Sequence, residues 1–138
     1  MSESRRPVPS LLPYVRHMLV CESVLADRGN PKRVTIQGPL TIIPTRGAPF
    51  PFSGGFSVFL QVTEGRRSGS GRIRVVDADR LESCYEGRES RIEFDGDPLK
   101  THLITIRVTR CTFLHPGPYT VEFVFDGTTL AQEPLLVR

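Results

Sequence analysis

The side chains of this sequence that could hold a metal ion or act as nucleophiles are three cysteines and three histidines. They are Cys21, Cys84, Cys111, His17, His102 and His115. None of them forms a CxxC or HExxH pattern, the spacings that place two ligands on one turn of the chain. On a strand, His17 and Cys21 share a face but stand roughly 13 Å apart, too far for one ion. We therefore expect no metal site and no cofactor.

Nucleophilic catalysis would need a partly exposed thiolate within hydrogen-bond reach of an imidazole. Cys111 offers such a pair, with His115 if the chain turns after the cysteine or with His102 as the other base. A cysteine packed at a strand end and a histidine in a Pro-Gly turn explain the same residues without catalysis, and no GxSxG elbow is present. The sequence predicts no catalytic residue, and a small Cys/His hydrolase is the third and weakest function considered.

A basic, glycine-rich segment is the next group of residues that could have a chemical function. Residues 65–71 contain Arg66 and Arg67, and Arg72 and Arg74 follow directly. If these four arginines project from one hairpin they can contact phosphates, which makes a nucleic-acid-associated accessory protein the alternative function. The segment lacks the Lys-Ser/Thr ending of a P-loop, and aromatic residues do not alternate with the arginines as a single-strand platform requires. A solvated strand face is favoured, and nucleic acid is disfavoured as a partner.

The elements that must position these residues belong to a chain with the composition of one folded domain. It has 138 residues, of which 38% are hydrophobic and 24% charged, and its net charge is +3. Twelve glycines and twelve prolines punctuate the chain too often for a helix bundle. The proline-rich residues 1–13 are predicted to be a flexible arm. They are not expected to be a signal peptide, because no cleavage site follows them.

Compartment and partners follow from the same composition. No apolar stretch is long enough for a membrane-spanning helix, so we expect no membrane partner. The odd number of cysteines argues against a disulfide framework. We therefore expect reduced thiols, no disulfide and a cytoplasmic location.

Apolar residues alternate with period two through most of residues 14–138, and no long run has the period of a helix. Short strands separated by turns of this kind predict an all-β domain, a single antiparallel two-sheet β-sandwich, Ig-like, with roughly seven to nine strands. Shared parity within three strands predicts a set of core residues. These are Val58, Leu60, Ile104, Ile106, Val121, Phe123 and Phe125.

Two local signals refine this prediction. Asp126-Gly127 stands between two alternating runs and predicts a hairpin turn. Tyr119 follows a Pro-Gly turn at the start of a late strand. It is either a tyrosine corner, in which the phenol bonds to upstream backbone, or a tyrosine that only packs.

Four stretches carry a resemblance to a known family. They are Cys21-Glu22-Ser23-Val24 with Gly29-Asn30-Pro31-Lys32-Arg33-Val34-Thr35, then Phe56-Ser57-Val58-Phe59-Leu60-Gln61-Val62-Thr63, Phe113-Leu114-His115-Pro116-Gly117-Pro118-Tyr119, and Leu130-Ala131-Gln132-Glu133-Pro134-Leu135-Leu136-Val137. In their order and spacing they resemble a family of small uncharacterised bacterial proteins, a domain of unknown function, over residues 14–138. The resemblance implies a β-sandwich and brings no catalytic residue.

Several apolar residues have no place in the predicted core. The first strand, residues 14–22, is apolar on both faces, and three phenylalanines fall in the loop of residues 44–55 or on the non-core parity of a strand. The candidate interface residues are Met18, Val20, Phe50, Phe52 and Phe59. Exposed apolar area of this kind marks a contact surface, unless the arm and the loop cover it within one chain. The leading prediction is a non-enzymatic protein-binding or assembly module whose partner is another protein or a second copy in a homodimer.

Overall fold

The computed structural model describes residues 12–30 and 33–138, and within these ranges the chain forms ten strands and no helix. The strands are β1 (Tyr14–Ala26), β2 (Val34–Pro39), β3 (Ile42–Ile43), β4 (Phe52–Thr63), β5 (Gly69–Asp77), β6 (Glu82–Glu86), β7 (Ser90–Ile92), β8 (His102–Phe113), β9 (Gly117–Phe125) and β10 (Thr128–Val137). Nothing in the described ranges could cross a membrane as a helix. The predicted flexible arm, residues 1–13, lies outside the described residues except for Leu12 and Pro13.

The strands form two facing sheets. One sheet has the order β2-β1-β4-β8, and the other has the order β3-β10-β9-β5-β6, with β7 also paired to β5. Strands β3 and β10 are parallel, while the other pairs are antiparallel. The predicted all-β, Ig-like two-sheet sandwich is confirmed. The strand number exceeds the prediction because β3, of two residues, is too short to show an alternating pattern of its own.

The core between the sheets is built from alternate side chains of the long strands, as the period-two pattern predicts. Five of the predicted core residues are buried, namely Val58, Leu60, Val121, Phe123 and Phe125. Ile104 and Ile106 pack against the same cluster but are only half-buried. The physical reason is their place on β8, which ends its sheet and has no neighbouring strand over its outer edge.

Two of the predicted interface residues, both on the first strand, lie in the core, and the interface prediction is wrong for them. Met18 and Val20 pair with Leu60 and Val58 of β4 and belong to the buried core cluster. The sequence shows that β1 is apolar on both faces but does not show which face meets the second sheet. Their burial removes both residues from any exposed surface.

Two more of the predicted interface residues lie in the loop before β4 and at the first position of β4. Phe50 and Phe52 are half-buried and pack against the core, with their ring centroids 6.4 Å apart. Strand β4 begins at Phe52, so the loop ends earlier than predicted. The chain itself therefore covers part of each phenylalanine and leaves the rest of each side chain exposed.

The connection between β4 and β5 also differs from the prediction. These strands belong to different sheets, so residues 64–68 cross from one sheet to the other and do not close a hairpin. A polar, glycine-rich segment has the same composition in both cases. The predicted arginine hairpin is therefore wrong.

Two turn predictions are resolved at the other end of the chain. The hydroxyl of Tyr119 donates a hydrogen bond of 2.6 Å to the carbonyl oxygen of His115, and the ring meets Phe113 edge-on at 4.9 Å. This is the tyrosine corner. Asp126 and Gly127 join β9 to β10 with φ of 48° and 81°, the paired positive values of a type I′ hairpin turn.

Candidate binding groove

A groove of about 590 Å³ opens along one side of the sandwich, between β8 of the first sheet and β5, β6 and β7 of the second. The local chain path creates it. After β6 the amide of Gly87 donates a 2.8 Å hydrogen bond to the carbonyl oxygen of Ile73, and a Cβ at Gly87 would lie only 2.8 Å from that oxygen. Glycine permits this close approach, after which the chain returns to β5 as the short strand β7.

The floor of the groove is apolar. Ile73 and Ile92 come from the second sheet, and Ile104 and Ile106 come from β8. All four belong to the core or pack against it, and the two residues of β8 keep part of their surface exposed. Tyr85 of β6 adds an aromatic wall. Ile73 and Ile92 are buried beneath the floor, so the apolar surface that the groove exposes comes mainly from Ile104 and Ile106.

The rim of the groove is positively charged. Its charged lining residues are Arg88, Arg91 and Arg107, and no acidic residue is among the lining residues. The guanidinium of Arg107 is engaged on the outer face of the first sheet, where it donates to the carbonyl oxygen of Glu22 at 2.7 Å. Arg91 forms an ion pair of 3.2 Å with Glu93, but both side chains are about two-thirds exposed or more, so the pair is weak. The charge of the rim rests on Arg88 and Arg91.

Strand β8 presents an open edge to this groove. It pairs with β4 on one side, and in the described part of the chain no strand pairs with its other side. The unpaired amide and carbonyl groups of an edge strand can accept another strand. Strand β2 is the opposite edge of the same sheet, and it is half as long, with six residues against twelve.

The four arginines predicted for nucleic-acid contact do not form one free patch. Arg72 pairs with Glu86 at 3.2 Å, and Arg74 pairs with Glu122 at 2.7 Å. These pairs partly neutralise the arginines on the outer face of the second sheet. Arg66 and Arg67 are exposed, but they lie in the crossing between β4 and β5 and not on a hairpin.

The fifth predicted interface residue, Phe59, lies apart from the other four. Its neighbours Val58 and Leu60 face the core, so Phe59 points to the outer face, where it pairs with Leu19 and Thr105. It is only 8% exposed. The five residues therefore do not share one exposed surface.

The predicted pairing of Cys111 with His102 is not assembled, while His115 lines a surface cavity together with Cys84. Cys111 is fully buried, and its pKa is raised by the hydrogen bond with Cys84 and by burial, so the thiolate is disfavoured there. His102 stands at the opposite end of β8, and nine residues of extended chain span roughly 30 Å. Among the residues with described positions, no group of three or more His, Cys, Asp or Glu side chains could hold a metal ion.

The sequence did not point to the groove. Arg88 lies just before the short strand β7 and Arg91 lies within it, and so short a segment gives no sign that it will leave the side of the sandwich open. The only signal was the weakness of the strands between residues 81 and 94. This weakness is typical of an edge but does not identify its partner.

Fold and groove together define an immunoglobulin-like β-sandwich domain with one open, basic edge. The chain belongs to DUF6941, a family of unknown function, which matches residues 16–138. This confirms the resemblance to an uncharacterised domain family. A comparison with curated proteins finds no match.

Solved structures with a similar arrangement of strands share little sequence with this chain. An alkylpurine DNA glycosylase of Pseudomonas fluorescens, bound to DNA with an abasic site analogue, is 10% identical with a TM-score of 0.46. A β-glucosidase of Listeria innocua in complex with isofagomine is 8% identical with a TM-score of 0.46. The matches cover 91% and 90% of this chain but only 30% and 16% of those proteins. An immunoglobulin-like protein of Pseudomonas aeruginosa is 15% identical with a TM-score of 0.43, over 92% of this chain and 97% of that one.

Proposed function

We propose that this protein is a non-enzymatic protein-binding module whose groove beside β8 takes an extended, acidic segment of a partner. The observation that carries the proposal is the combination of an open strand edge, an apolar floor and a rim with three arginines, of which Arg91 shares its charge with the exposed Glu93. In β-augmentation the main-chain bonds of the edge give affinity, and alternate side chains of the added strand give specificity.

The chemistry of the groove defines the partner segment. Side chains that face the floor meet the half-buried Ile104 and Ile106, so they should be apolar. Side chains of the other parity reach the rim, where Arg88 and Arg91 favour carboxylates. A strand that alternates apolar and acidic residues fits both requirements.

Neither earlier alternative is supported as well. The prediction of nucleic-acid binding depends on four arginines. Two of them, Arg72 and Arg74, form ion pairs with glutamates, which reduces the charge available for phosphates. The homodimer reading rested on the first strand and the loop before β4, which pack largely within the chain. We also propose a cytoplasmic location, which the three free thiols of Cys21, Cys84 and Cys111 support.

The proposal is tested by fluorescence anisotropy with a labelled peptide of about ten residues that alternates glutamate and valine, a length suited to one edge strand. The expected result is saturable binding that weakens with salt, because exposed charge pairs are screened. The matched peptide alternates lysine and valine and should bind much more weakly. Equal binding of the two peptides, or no binding of either, would overturn the proposal.

Two pairs of substitutions locate the site. Arg88→Ala with Arg91→Ala should weaken binding of the acidic peptide about tenfold, the equivalent of about 1.4 kcal/mol. Arg66→Ala with Arg67→Ala removes the same charge outside the groove and should leave the affinity unchanged. If the chain instead binds single-stranded DNA, and only the Arg66/Arg67 variant loses that binding, the nucleic-acid alternative replaces this one.

A further inference from the structure

Two cysteines from different sheets meet at one end of the sandwich. Cys84 of β6 and Cys111 of β8 are free thiols, and their Sγ atoms are 3.9 Å apart. They are separated by 27 positions in the sequence, so nothing in the local pattern predicts the contact. The pair joins β6 of one sheet to β8 of the other.

The surroundings of the two thiols are unequal. Cys111 is fully buried in the core cluster. Cys84 is half-buried and lines a surface cavity of about 150 Å³ together with Asp77, His115 and Tyr119. A small molecule can therefore reach Cys84 but not Cys111.

The pKa values of the two thiols are also shifted in opposite directions. The hydrogen bond with Cys111 lowers the pKa of Cys84, and this effect outweighs burial and the nearby carboxylate of Asp77. The same bond, with burial, raises the pKa of Cys111. A thiolate is the reactive form of cysteine, so the accessible sulfur is also the more nucleophilic one.

We propose that Cys84 and Cys111 are a redox pair that closes into an intersheet disulfide when the protein meets a hydroperoxide. The Cys84 thiolate attacks one peroxide oxygen, the O–O bond breaks, and after protonation a sulfenic acid and one water are formed. The sulfur of Cys111 then attacks the sulfur of Cys84. The S–O bond breaks and the hydroxyl leaves as a second water with the Cys111 proton. Two thiols and one hydrogen peroxide thus become one disulfide and two waters, with two electrons passed to the peroxide.

The two sulfur atoms need to move only a short distance to form a disulfide. A disulfide holds its sulfurs at about 2.05 Å, so the two atoms must approach by roughly 2 Å. The third cysteine is a natural control, because Cys21 is buried on the outer face of the first sheet and its thiol contacts the carbonyl oxygen of Ser57 at 3.7 Å. Oxidation at this pair would link the sheets and leave Cys21 unchanged.

Peptide mapping by mass spectrometry under non-reducing conditions tests the proposal on the full chain. After treatment with equimolar hydrogen peroxide and alkylation in denaturant, the expected product is a linked peptide pair that contains Cys84 and Cys111, with Cys21 alkylated. Dithiothreitol should restore three alkylated cysteines, and the oxidised protein should melt at a higher temperature than the reduced protein. Three free thiols after peroxide, or a bridge that involves Cys21, would overturn the proposal.

Variants separate the roles of the two sulfurs. Cys111→Ala should leave Cys84 as a sulfenic acid that dimedone captures, formed more slowly than in the wild type because the hydrogen bond that lowers the pKa of Cys84 is lost. Cys84→Ser should abolish the reaction at Cys111. Cys21→Ser should form the bridge as the wild type does. If peroxide still oxidises the Cys111 thiol of Cys84→Ser at the wild-type rate, Cys84 is not the attacking sulfur and the proposal fails. The wild-type mapping decides the question even if the Cys111 variant does not fold.

Discussion

At the scale of single residues, the tyrosine corner ties the start of β9 to the turn before it. The phenol of Tyr119 is buried, and its bond to the carbonyl oxygen of His115 is 2.6 Å long. Tyr119→Phe removes the donor and leaves a partly buried carbonyl without it, which should lower the free energy of unfolding by roughly 1–3 kcal/mol. Urea denaturation measures the change. Tyr14→Phe, at a tyrosine that is 57% exposed, is the matched control and should change little.

Asp77 is a second residue whose local hydrogen bonds stabilise the folded state. Burial opposes the charge of its carboxylate, but the amides of Asp79 and Arg80 and the guanidinium of Arg80 outweigh burial and lower its pKa. A carboxyl whose folded pKa is depressed stabilises the fold above its unfolded pKa, about 3.9. That contribution is lost as the pH falls through the folded pKa.

The substitution Asp77→Asn should therefore destabilise the protein at neutral pH by roughly 1–3 kcal/mol, because a charged hydrogen-bond acceptor is lost. Urea unfolding at a series of pH values should show the gap between wild type and variant closing below about pH 4. Asp79→Asn, at an exposed neighbour, should lie within about 0.5 kcal/mol of the wild type. A gap that stays constant down to acid pH would contradict this account of Asp77.

At the scale of elements, β9 lies between β10 and β5 in the second sheet and carries a row of buried side chains that face the core. Phe123 of this row is 1% exposed. Phe123→Ala should cost roughly 3–5 kcal/mol, from lost transfer free energy and the cavity left behind. Leu99→Ala, at a leucine that is 87% exposed, should change the urea midpoint little. Similar costs for the two variants would mean that Phe123 is not a core residue.

The long strands could be predicted because a period of two is visible wherever one face is buried and the other is not. Val121 stands between the polar Thr120 and Glu122, and Phe123 follows with the same parity, so their inward direction follows from the sequence. Met18 and Val20 could not be placed, because Leu19 and Cys21 make the other face of β1 equally apolar. Parity alone then gives no preference, and the second sheet decides.

The candidate groove lay beyond prediction for a different reason. It depends on which strands end each sheet, and this is a property of the pairing order β2-β1-β4-β8 rather than of any segment. The contact of Cys84 with Cys111 likewise joins two strands that are not hydrogen-bonded to each other. Periodicity reports which way a side chain points along its own strand, and it does not report what stands opposite.

At the scale of the whole molecule, the two edges of the first sheet provide an internal comparison. Strand β8 borders the basic groove, whereas β2 does not line it. If a partner strand adds at β8, alternate amides of β8 gain hydrogen bonds and should exchange with solvent more slowly. The amides of β2 should keep their exchange rates.

Amide hydrogen exchange of the full chain, with and without the peptide that alternates glutamate and valine, is the most direct test of this account. We predict slower exchange at alternate residues of β8 between Leu103 and Thr109, with no change in Thr35 and Gln37 of β2. The variant with Arg88→Ala and Arg91→Ala should lose most of this protection at the same peptide concentration. Protection spread over both edges, or confined to β1 and residues 44–51 as in a dimer through those segments, would contradict binding at the groove.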